Sequence, residues 1–359
     1  MTGMTTDVVL VVPAGIDDET APSGGNVYDR RMRDGLAATE LGVREIAVAG
    51  AWPRPAEAAR AQLARSLDGL PDGAVVLVDG LVACGVPDVV VPRAARLRLA
   101  VLVHMPLAND VSQPSDVAAE LDRREGETLA AAAAVVATSQ ATARRLAARH
   151  GLGDVEVVAP GADRAPLSTG SAAGDRLLCV GSVAPLKGQD VLVEALATLA
   201  DLAWHCRCVG PPRDPVFTTD LRERMERLGL ADRIRLVGPQ TSEQVGEMYG
   251  DSDLVVLPSR AESYGMVVTE ALAHAIPVVA SNVGGVPEAL GDTPDGIPGL
   301  LVTPDDPAGL AAALRSWLTD AELRHRLRTA ARLRRDALEP WQTAARRMGD
   351  VLTAMEVAP

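Results

Sequence analysis

The fold is decided by the stretch LVVL at 254–257, the polar turn after it, and ESYGMVVTE at Glu262–Glu270. The apolar run predicts a buried strand, and the residues after Gly265 predict a helix. Gly265 tolerates close approach of a ligand where the free N–H groups of a new helix begin, and such a point binds anions. Glu262 and Glu270 flank that helix start, and carboxylates suit hydroxyls. The stretch is either a site for a ligand with phosphate and hydroxyl groups or an ordinary strand–helix junction with solvated glutamates.

Composition limits the kind of protein. With 359 residues the chain is long for one compact core and sufficient for two domains of ordinary size. Aromatic residues make up only 2%, which removes the stacking surfaces that single-stranded nucleic-acid binders use. The net charge of −13 disfavours duplex DNA and anionic lipid. We therefore expect no nucleic-acid partner and no peripheral membrane contact.

The chain shows no targeting or metal-binding pattern. Residues 1–7 are too polar for a signal peptide, and no window approaches 18 uninterrupted apolar residues, so the sequence predicts a cytoplasmic protein without a membrane span. The four cysteines, Cys84, Cys179, Cys206 and Cys208, lack metal-ligand spacing. We interpret them as buried structural thiols rather than zinc or redox groups.

Short apolar runs alternate with helical segments along both halves of the chain. They lie at 7–12, 46–49, 75–78, 99–103, 135–138 and 155–158, and again at 177–180, 206–209, 234–237, 254–257, 276–280 and 300–302. This alternation predicts parallel sheets with helices on both faces. Residues 164–174 have no apolar period and mark a domain boundary. The prediction is an α/β protein with two Rossmann-like, doubly wound domains, 1–164 and 165–340, facing each other across a cleft.

Three further features follow predicted strands. Gly24-Gly25 precedes a helix and could admit a phosphate or sugar, although glycine pairs are also common in plain turns. His104 closes the run at 99–103, where ligands gather, or it is a histidine hydrogen-bonded in a loop. Lys187, beside Gly188, is the only lysine in the chain. Its ammonium suits phosphate as a compact point charge, and the alternative is a surface lysine.

Taken together, these residues resemble glycosyltransferase family 4, whose members are retaining enzymes of the GT-B architecture. The family's signature of two glutamates separated by seven residues is similar to Glu262 and Glu270, with Tyr264-Gly265 between them. Its Gly-Arg-x-x-x-x-Lys-Gly diphosphate loop is similar to 181–188.

Other family motifs follow in the same order, so the resemblance covers nearly the whole chain. Its glycine pair matches Gly24-Gly25, its strand-end histidine matches His104, and its Pro-x-Gly-x-Asp turn is similar to the run at 160–163. The family's last helix crosses back onto the N-terminal domain, and 341–359 resembles it.

One residue departs from the family pattern. Ser182 stands where many relatives have arginine. The diphosphate would then depend on Lys187, on backbone amides, and on Arg260 or Arg213. A charge-assisted contact contributes about 1.5–3 kcal/mol, so its loss would weaken a donor site without abolishing it.

The resemblance implies a retaining glycosyltransferase that moves a sugar from a nucleotide-diphosphate sugar to a hydroxyl acceptor, with UDP the family's commonest nucleotide. Its catalytic residues would be His104, Lys187 and Glu262, with Glu262 contacting the sugar and Glu270 the ribose. The family's donor-binding residues correspond here to Gly24, Gly25, Ser182, Lys187, Arg260, Glu262, Ser263, Tyr264, Gly265, Met266, Val267 and Glu270. No metal or other cofactor is expected, because Lys187 and the helix start would stabilise the leaving phosphate.

Other activities stay open at this point. A nucleotide-sugar epimerase or a sugar phosphorylase would use a similar cleft, and Ser182 leaves room for a non-catalytic nucleotide-sugar binder. A nicotinamide dehydrogenase is disfavoured because no G-x-G-x-x-G follows the first strand of either half. Asp251-Ser252-Asp253, the one Asp-x-Asp motif near a strand, precedes the strand and is interpreted as a turn. The acceptor and the oligomeric state have no pattern in the sequence.

Overall fold

The computed structural model describes residues 7–18, 23–109 and 113–357. These residues divide into two compact units. The first unit contains 7–18, 23–161 and 340–357, and the second contains 162–339.

The first unit is built on one parallel sheet. Its strands are β1 (Asp7–Pro13), β2 (Gly42–Val48), β3 (Val75–Asp79), β4 (Arg98–Val103), β5 (Ala134–Ala137) and β6 (Glu156–Val157). Its helices are α1 (Gly24–Ala37), α2 (Glu57–Asp68), α3 (Gly80–Ala83), α4 (Pro87–Val90), α5 (Ser115–Ala131), α6 (Gln140–His150) and, from the end of the chain, α14 (Trp341–Val357). The strand order is β2-β1-β3-β4-β5-β6.

Burial on both faces explains the composition of the central strands. In β3 and β4 the residues Val76, Val78, Leu99, Val101 and Val103 point into one apolar core, and the residues between them are also buried. A parallel sheet covered by helices on both sides requires such uninterrupted apolar runs. Helix α14 lies directly on α1, since a Cβ built at Gly35 would be 2.6 Å from the Cβ of Ala345.

The second unit repeats this architecture with another sequence. Its strands are β7 (Arg176–Val180), β8 (His205–Val209), β9 (Ile234–Gly238), β10 (Leu254–Leu257), β11 (Val278–Ser281) and β12 (Gly299–Val302). Its helices are α7 (Gln189–Ala197), α8 (Pro215–Arg227), α9 (Ser242–Gly250), α10 (Met266–Ala273), α11 (Val286–Leu290), α12 (Pro307–Thr319) and α13 (Ala321–Asp336). The strand order is β12-β11-β10-β7-β8-β9, with every pair parallel.

The four cysteines are buried and unbridged. Cys206 and Cys208 share one face of β8 and pack with Trp204 and Trp317 in the same apolar core. The interpretation as buried thiols is confirmed. Among the residues that the structure describes, no helix is long and apolar enough to cross a membrane.

Both sheets contain a point at which the direction of winding reverses. In the first unit this point lies between β1 and β3, and in the second between β7 and β10. Loops at the carboxyl ends of two such strands diverge to opposite faces and leave a crevice that binds ligands in open α/β sheets. The predicted class, two Rossmann-like α/β units, is confirmed, and the site residues can be sought at these two points.

Candidate functional site

The loop after β7 depends on a glycine whose backbone angle and close contact disfavour any side chain. A 3-10 turn at Pro185–Lys187 is followed by Gly188 with φ 67°, in the left-handed region. A Cβ on Gly188 would lie 2.1 Å from the carbonyl oxygen of Pro258, just beyond β10. The loop that carries Lys187 is therefore packed against the carboxyl end of β10, across the switch point.

Lys187 and Glu262 form an ion pair at this crevice. The Nζ of Lys187 is 2.5 Å from Oε1 of Glu262, and Ser259 Oγ donates to the same oxygen at 2.8 Å. The Lys187 and Glu262 side chains are 26% and 13% exposed, so the pair is sheltered but reachable. The structure thus brings together the cation and the carboxylate that the sequence assigned to neighbouring parts of one ligand.

The start of α10 lies beside this pair. Gly265 adopts φ 90° as its N-cap residue, and no side chain caps the helix. The amides at Met266 and Val267 are the first of the helix, and free amides at a helix start attract anions. The loop after β11 also packs against this turn, because a Cβ at Gly284 would lie 1.7 Å from the carbonyl oxygen of Glu262. Ser263 and Tyr264, in this turn, are half-buried.

Glu270 is held one turn into α10 by a tyrosine from α9. The hydroxyl of Tyr249 donates to Oε2 of Glu270 at 2.8 Å, and Tyr249 is only 2% exposed. Burial raises the pKa of Glu270, and the hydrogen bond from Tyr249 opposes that rise. Oε1 of Glu270 accepts no hydrogen bond from the residues that the structure describes, so it is available to a ligand.

The surroundings of Arg260 differ from those expected of a residue that binds phosphate. Its guanidinium contacts the carboxylates of Asp190 at 2.8 Å and Asp305 at 2.6 Å, and it also donates to the carbonyl of Pro185. These contacts tie the Lys187 loop to the turn before α10. The backbone at Ser182 is fixed as well, since its carbonyl accepts from Nε2 of Gln189 at 2.9 Å. A diphosphate contact from Arg260 stays a prediction, and it would have to compete with two carboxylates.

In the first unit the glycine pair and His104 come together. Gly24 and Gly25 begin α1, which is capped by Ser23. A Cβ on Gly25 would be 3.3 Å from Cδ2 of His104, so the helix start lies against the imidazole. The ring of Tyr28 meets that of His104 edge-on at 5.2 Å.

Two carboxylates that sequence reasoning missed surround His104. Its Nε2 lies 2.8 Å from Oδ1 of Asp29 and 3.3 Å from Oδ2 of Asp79. Asp29 and Asp79 are 1% and 4% exposed. Asp79 ends β3 and pairs with Leu102 of β4, which lies two residues before His104. The sequence signal for Asp79 was a carboxylate directly after the apolar run at 75–78.

The electrostatics of this cluster favour a protonated imidazole. Burial by itself lowers the pKa of His104, but the two carboxylates raise that pKa to about 10. Burial raises the pKa of Asp29 to about 7, although His104 counteracts it. Burial also disfavours the charge on Asp79, yet its contact with His104 holds the pKa of that carboxyl below the ordinary value.

Two clusters bring three potential metal-binding atoms within 4.8 Å of one another. One is Asp29, Asp79 and His104, and the other is Asp122, Glu125 and His150 in α5 and α6. In both, an imidazole–carboxylate contact, at 2.8 and 3.2 Å, accounts for the geometry.

Asp253, from the predicted turn before β10, has structural partners. Its carboxylate accepts hydrogen bonds from Ser171, from the backbone of Arg176 and from Arg328. These contacts hold the segment at the start of the second unit.

Comparison with solved structures identifies the class of fold. Sucrose-phosphate synthase from Thermosynechococcus elongatus superposes with a TM-score of 0.80 at 22% identity, covering 99% of this chain and 100% of that one. Anabaena HepE in complex with UDP and glucose superposes with a TM-score of 0.75 at 19% identity, covering 97% and 99%. The chain therefore has the GT-B fold of glycosyltransferases.

Comparison of sequences identifies the family. Residues 172–334, nearly all of the second unit, match the family model described as glycosyl transferases group 1. D-inositol 3-phosphate glycosyltransferase from Nocardiopsis dassonvillei is 34% identical over 233 residues, covering 58% of this chain and 53% of that protein. The enzyme of that name from Streptomyces avermitilis is 35% identical over 252 residues, covering 64% and 53%. This chain spans about half the length of these curated relatives. This match over 172–334 confirms the resemblance of the second unit to the glycosyl transferases group 1.

Proposed function

We propose that the protein is a retaining glycosyltransferase that moves a sugar from a nucleotide-diphosphate sugar to a hydroxyl acceptor without a metal ion. The observation that carries the proposal is the pairing of Lys187 with Glu262 at the switch point of the second sheet, beside the uncapped start of α10. A cation, free helix amides and a carboxylate within one crevice suit a ligand that joins phosphate to hydroxyl groups.

The two members of the ion pair bind different parts of the donor. When a diphosphate enters, the ammonium of Lys187 gains phosphate oxygens as partners, and the carboxylate of Glu262 becomes free to accept hydrogen bonds from sugar hydroxyls. Negative charge grows on the leaving phosphate as the glycosidic bond breaks. Lys187 and the amides of α10 stabilise that charge more than they stabilise the bound donor, which accelerates the reaction.

Glu270 provides the other end of the donor site. Tyr249 fixes one of its oxygens, so the second is a pre-aimed acceptor for the ribose hydroxyls. A fixed acceptor loses little conformational entropy on binding. Glu262 and Glu270 therefore act as sugar and ribose contacts, and a phosphate oxygen of the donor serves as base for the acceptor hydroxyl.

We propose UDP as the nucleotide. The HepE structure, which shares this fold, holds UDP and glucose, and the sequence relatives are glycosyltransferases. We do not assign the acceptor of these relatives to this chain, because the aligned region covers about half of those proteins.

A ligand panel tests the proposal. Thermal unfolding is measured with UDP, GDP, ADP and dTDP and with their sugar conjugates, for the wild type, for Lys187→Ala and for Arg176→Ala. Arg176 is an exposed residue of the same unit at the amino end of β7, so its variant controls for loss of charge. A ligand at 100 times its Kd stabilises the native state by about 2.7 kcal/mol. We expect one nucleotide family to stabilise the wild type and Arg176→Ala, with a much smaller effect on Lys187→Ala.

Thermal unfolding with this panel tests the donor site, and product analysis with the same ligands separates the alternatives. If no nucleotide stabilises the wild type, or if Lys187→Ala responds like it, the donor site is wrong. Conversion of the donor sugar without release of nucleotide would indicate an epimerase, and a requirement for inorganic phosphate would indicate a phosphorylase. Binding without any turnover would indicate a non-catalytic binder.

A further inference from the structure

His104 follows β4, and one of its ring nitrogens contacts residues that follow β1 and end β3, the two strands at the switch point of the first sheet. Its Nε2 faces Asp29 on α1 and Asp79 at the end of β3, whereas Nδ1 has no partner among the described residues. The side chain keeps 19% of its surface exposed. Because Nε2 already faces two fixed acceptors, Nδ1 is the ring nitrogen left to form a hydrogen bond with a ligand.

The contacts fix which nitrogen carries a proton. Asp79 has a pKa below its ordinary value and is therefore an ionised carboxylate that only accepts hydrogen bonds, so Nε2 must be an N–H donor toward it. The neutral ring would then present Nδ1 as an acceptor, and the imidazolium would present it as a second donor.

The charges around the ring select the imidazolium. Among the described residues, the titratable groups that face His104 are Asp29 and Tyr28 from α1 and Asp79 from the β3–α3 junction. The Tyr28 hydroxyl donates to the carbonyl of Val158 instead, and neither carboxylate has an arginine or lysine partner in the described part of the chain. Two buried carboxylates without another cation are costly unless the imidazole between them is charged.

We propose that Asp29 and Asp79 are positioning residues that hold His104 as an imidazolium, with Nε2–H between them and Nδ1–H presented as a fixed donor to a ligand oxygen. The functional part of this inference depends on the proposed glycosyltransferase activity. In that reaction His104 binds a sugar or acceptor oxygen as a donor and does not act as a general base. The raised pKa of His104 agrees with this assignment.

The carboxylates are themselves fixed by the fold. Oδ1 of Asp79 caps α3 by accepting from the amides of Leu81 and Val82 at 2.5 and 3.3 Å, which leaves Oδ2 for His104. Asp79→Asn can retain the capping oxygen and replace Oδ2 by an amide nitrogen. This variant therefore removes the charge without removing the cap.

Nitrogen NMR of the full chain tests the inference directly. Long-range ¹H–¹⁵N spectra of the uniformly labelled protein are recorded from pH 6 to 10.5, and His104→Gln assigns the His104 signals. We expect both ring nitrogens of His104 to carry protons at pH 7.5. Asp79→Asn and Asp29→Asn should each lower its pKa by at least about one unit, a tenfold loss of proton affinity. The ring signals of His150, which pairs with Glu125 elsewhere in this unit, should be unchanged by both substitutions and serve as the control.

A neutral His104 at pH 7.5, or an unchanged titration in both variants, would overturn the assignment. The pH dependence of turnover distinguishes the proposed role from that of a purely structural ion pair, which would leave this dependence unchanged. The alkaline limb of the pH–rate profile should shift to lower pH in Asp79→Asn by the same amount as the NMR titration, and an unshifted limb would refute the functional part.

UDP binding is measured alongside on the same samples. If the wild type binds no nucleotide but His104 titrates as expected, the proposed function fails and the positioning stands. If donor is turned over while His104 is neutral, the positioning fails and the function stands.

Discussion

Nζ of Lys187 lies 2.5 Å from Oε1 of Glu262, within a pair that is only partly shielded from solvent. A phosphate that replaces Glu262 as the partner of Lys187 would keep the ammonium paired, and sugar hydroxyls would give the sheltered carboxylate new hydrogen-bond donors. Because the two charges belong to loops after different strands, β7 and β10, the proposed exchange would link diphosphate binding to release of the carboxylate that we assign to the sugar.

This exchange predicts opposite effects for the two partners. Lys187→Ala should weaken UDP binding roughly 10- to 100-fold, the loss of one charge-assisted contact. Glu262→Gln should leave UDP affinity equal or higher, because the ammonium no longer has a competing carboxylate, while turnover of the sugar donor falls. Isothermal calorimetry with UDP checks both. Equal weakening in the two variants would contradict the exchange.

The packing of the Lys187 loop predicts that Gly188 is indispensable. Gly188→Ala introduces a methyl group 2.1 Å from the Pro258 carbonyl, whereas Gly229 has the same φ of 67° and no neighbour within 4 Å. Gly229→Ala should cost about 1–2 kcal/mol for the left-handed backbone alone. Gly188→Ala should cost about 3 kcal/mol or more, because overpacking is added. Urea denaturation measures both, and equal losses would show that the loop can move away.

The hydrogen bond from Tyr249 predicts a change in the pH dependence of donor binding. Tyr249→Phe removes the donor that opposes the burial-driven rise in the pKa of Glu270, so that pKa should rise further. Ribose binding needs the ionised carboxylate, and the acid limb of UDP affinity should move to higher pH. Glu270→Gln should abolish this limb. If the acid limb of UDP affinity lies at the same pH in the wild type and in Tyr249→Phe, Glu270 is not the ribose contact.

The cluster around His104 predicts that stability falls as pH rises above neutrality. A histidine whose folded pKa is raised to about 10 contributes stability that is complete below its ordinary pKa of 6.5 and is lost as pH rises through the folded value. Between pH 6.5 and 8 the wild type should lose up to about 1.4 kcal/mol per pH unit for this proton, relative to the Asp29→Asn/Asp79→Asn double variant. Parallel stability curves from urea titrations would exclude the raised pKa.

The sheet architecture was predictable because buried parallel strands leave continuous apolar runs. The run at 254–257 coincides with β10, and those at 177–180 and 300–302 fall within β7 and β12. The edge strand β2 was placed at 46–49 but spans Gly42–Val48. Its first residues are partly exposed, so no apolar pattern marks them.

The candidate site was only partly predictable. Lys187 could be singled out because it is the chain's only lysine, and the structure brings it to Glu262. The bonds of Arg260 to Asp190 and Asp305 join segments far apart in the chain, and no local pattern reports them. Asp29 was missed for the same reason, since its burial depends on packing against His104.

The proposed assignment of the leaving charge to Lys187 and the amides of α10 predicts that the reaction needs no metal ion. Donor turnover should be unchanged after dialysis against EDTA and should not respond to added Mg²⁺ or Mn²⁺. Release of UDP in a coupled assay measures it. Loss of activity with the chelator, restored by one of these ions, would place the leaving charge on a metal.

The most direct test of the central claim is the configuration of the transferred sugar. Time-resolved ¹H NMR of the wild type with the α-linked nucleotide sugar selected by the ligand panel, and with water as the acceptor, follows loss of the donor, appearance of free nucleotide and the first anomer of the released sugar. A retaining transferase that depends on Lys187 predicts an α product before mutarotation and at least tenfold slower turnover in Lys187→Ala. A β product formed first, or equal rates in the two proteins, would contradict the account.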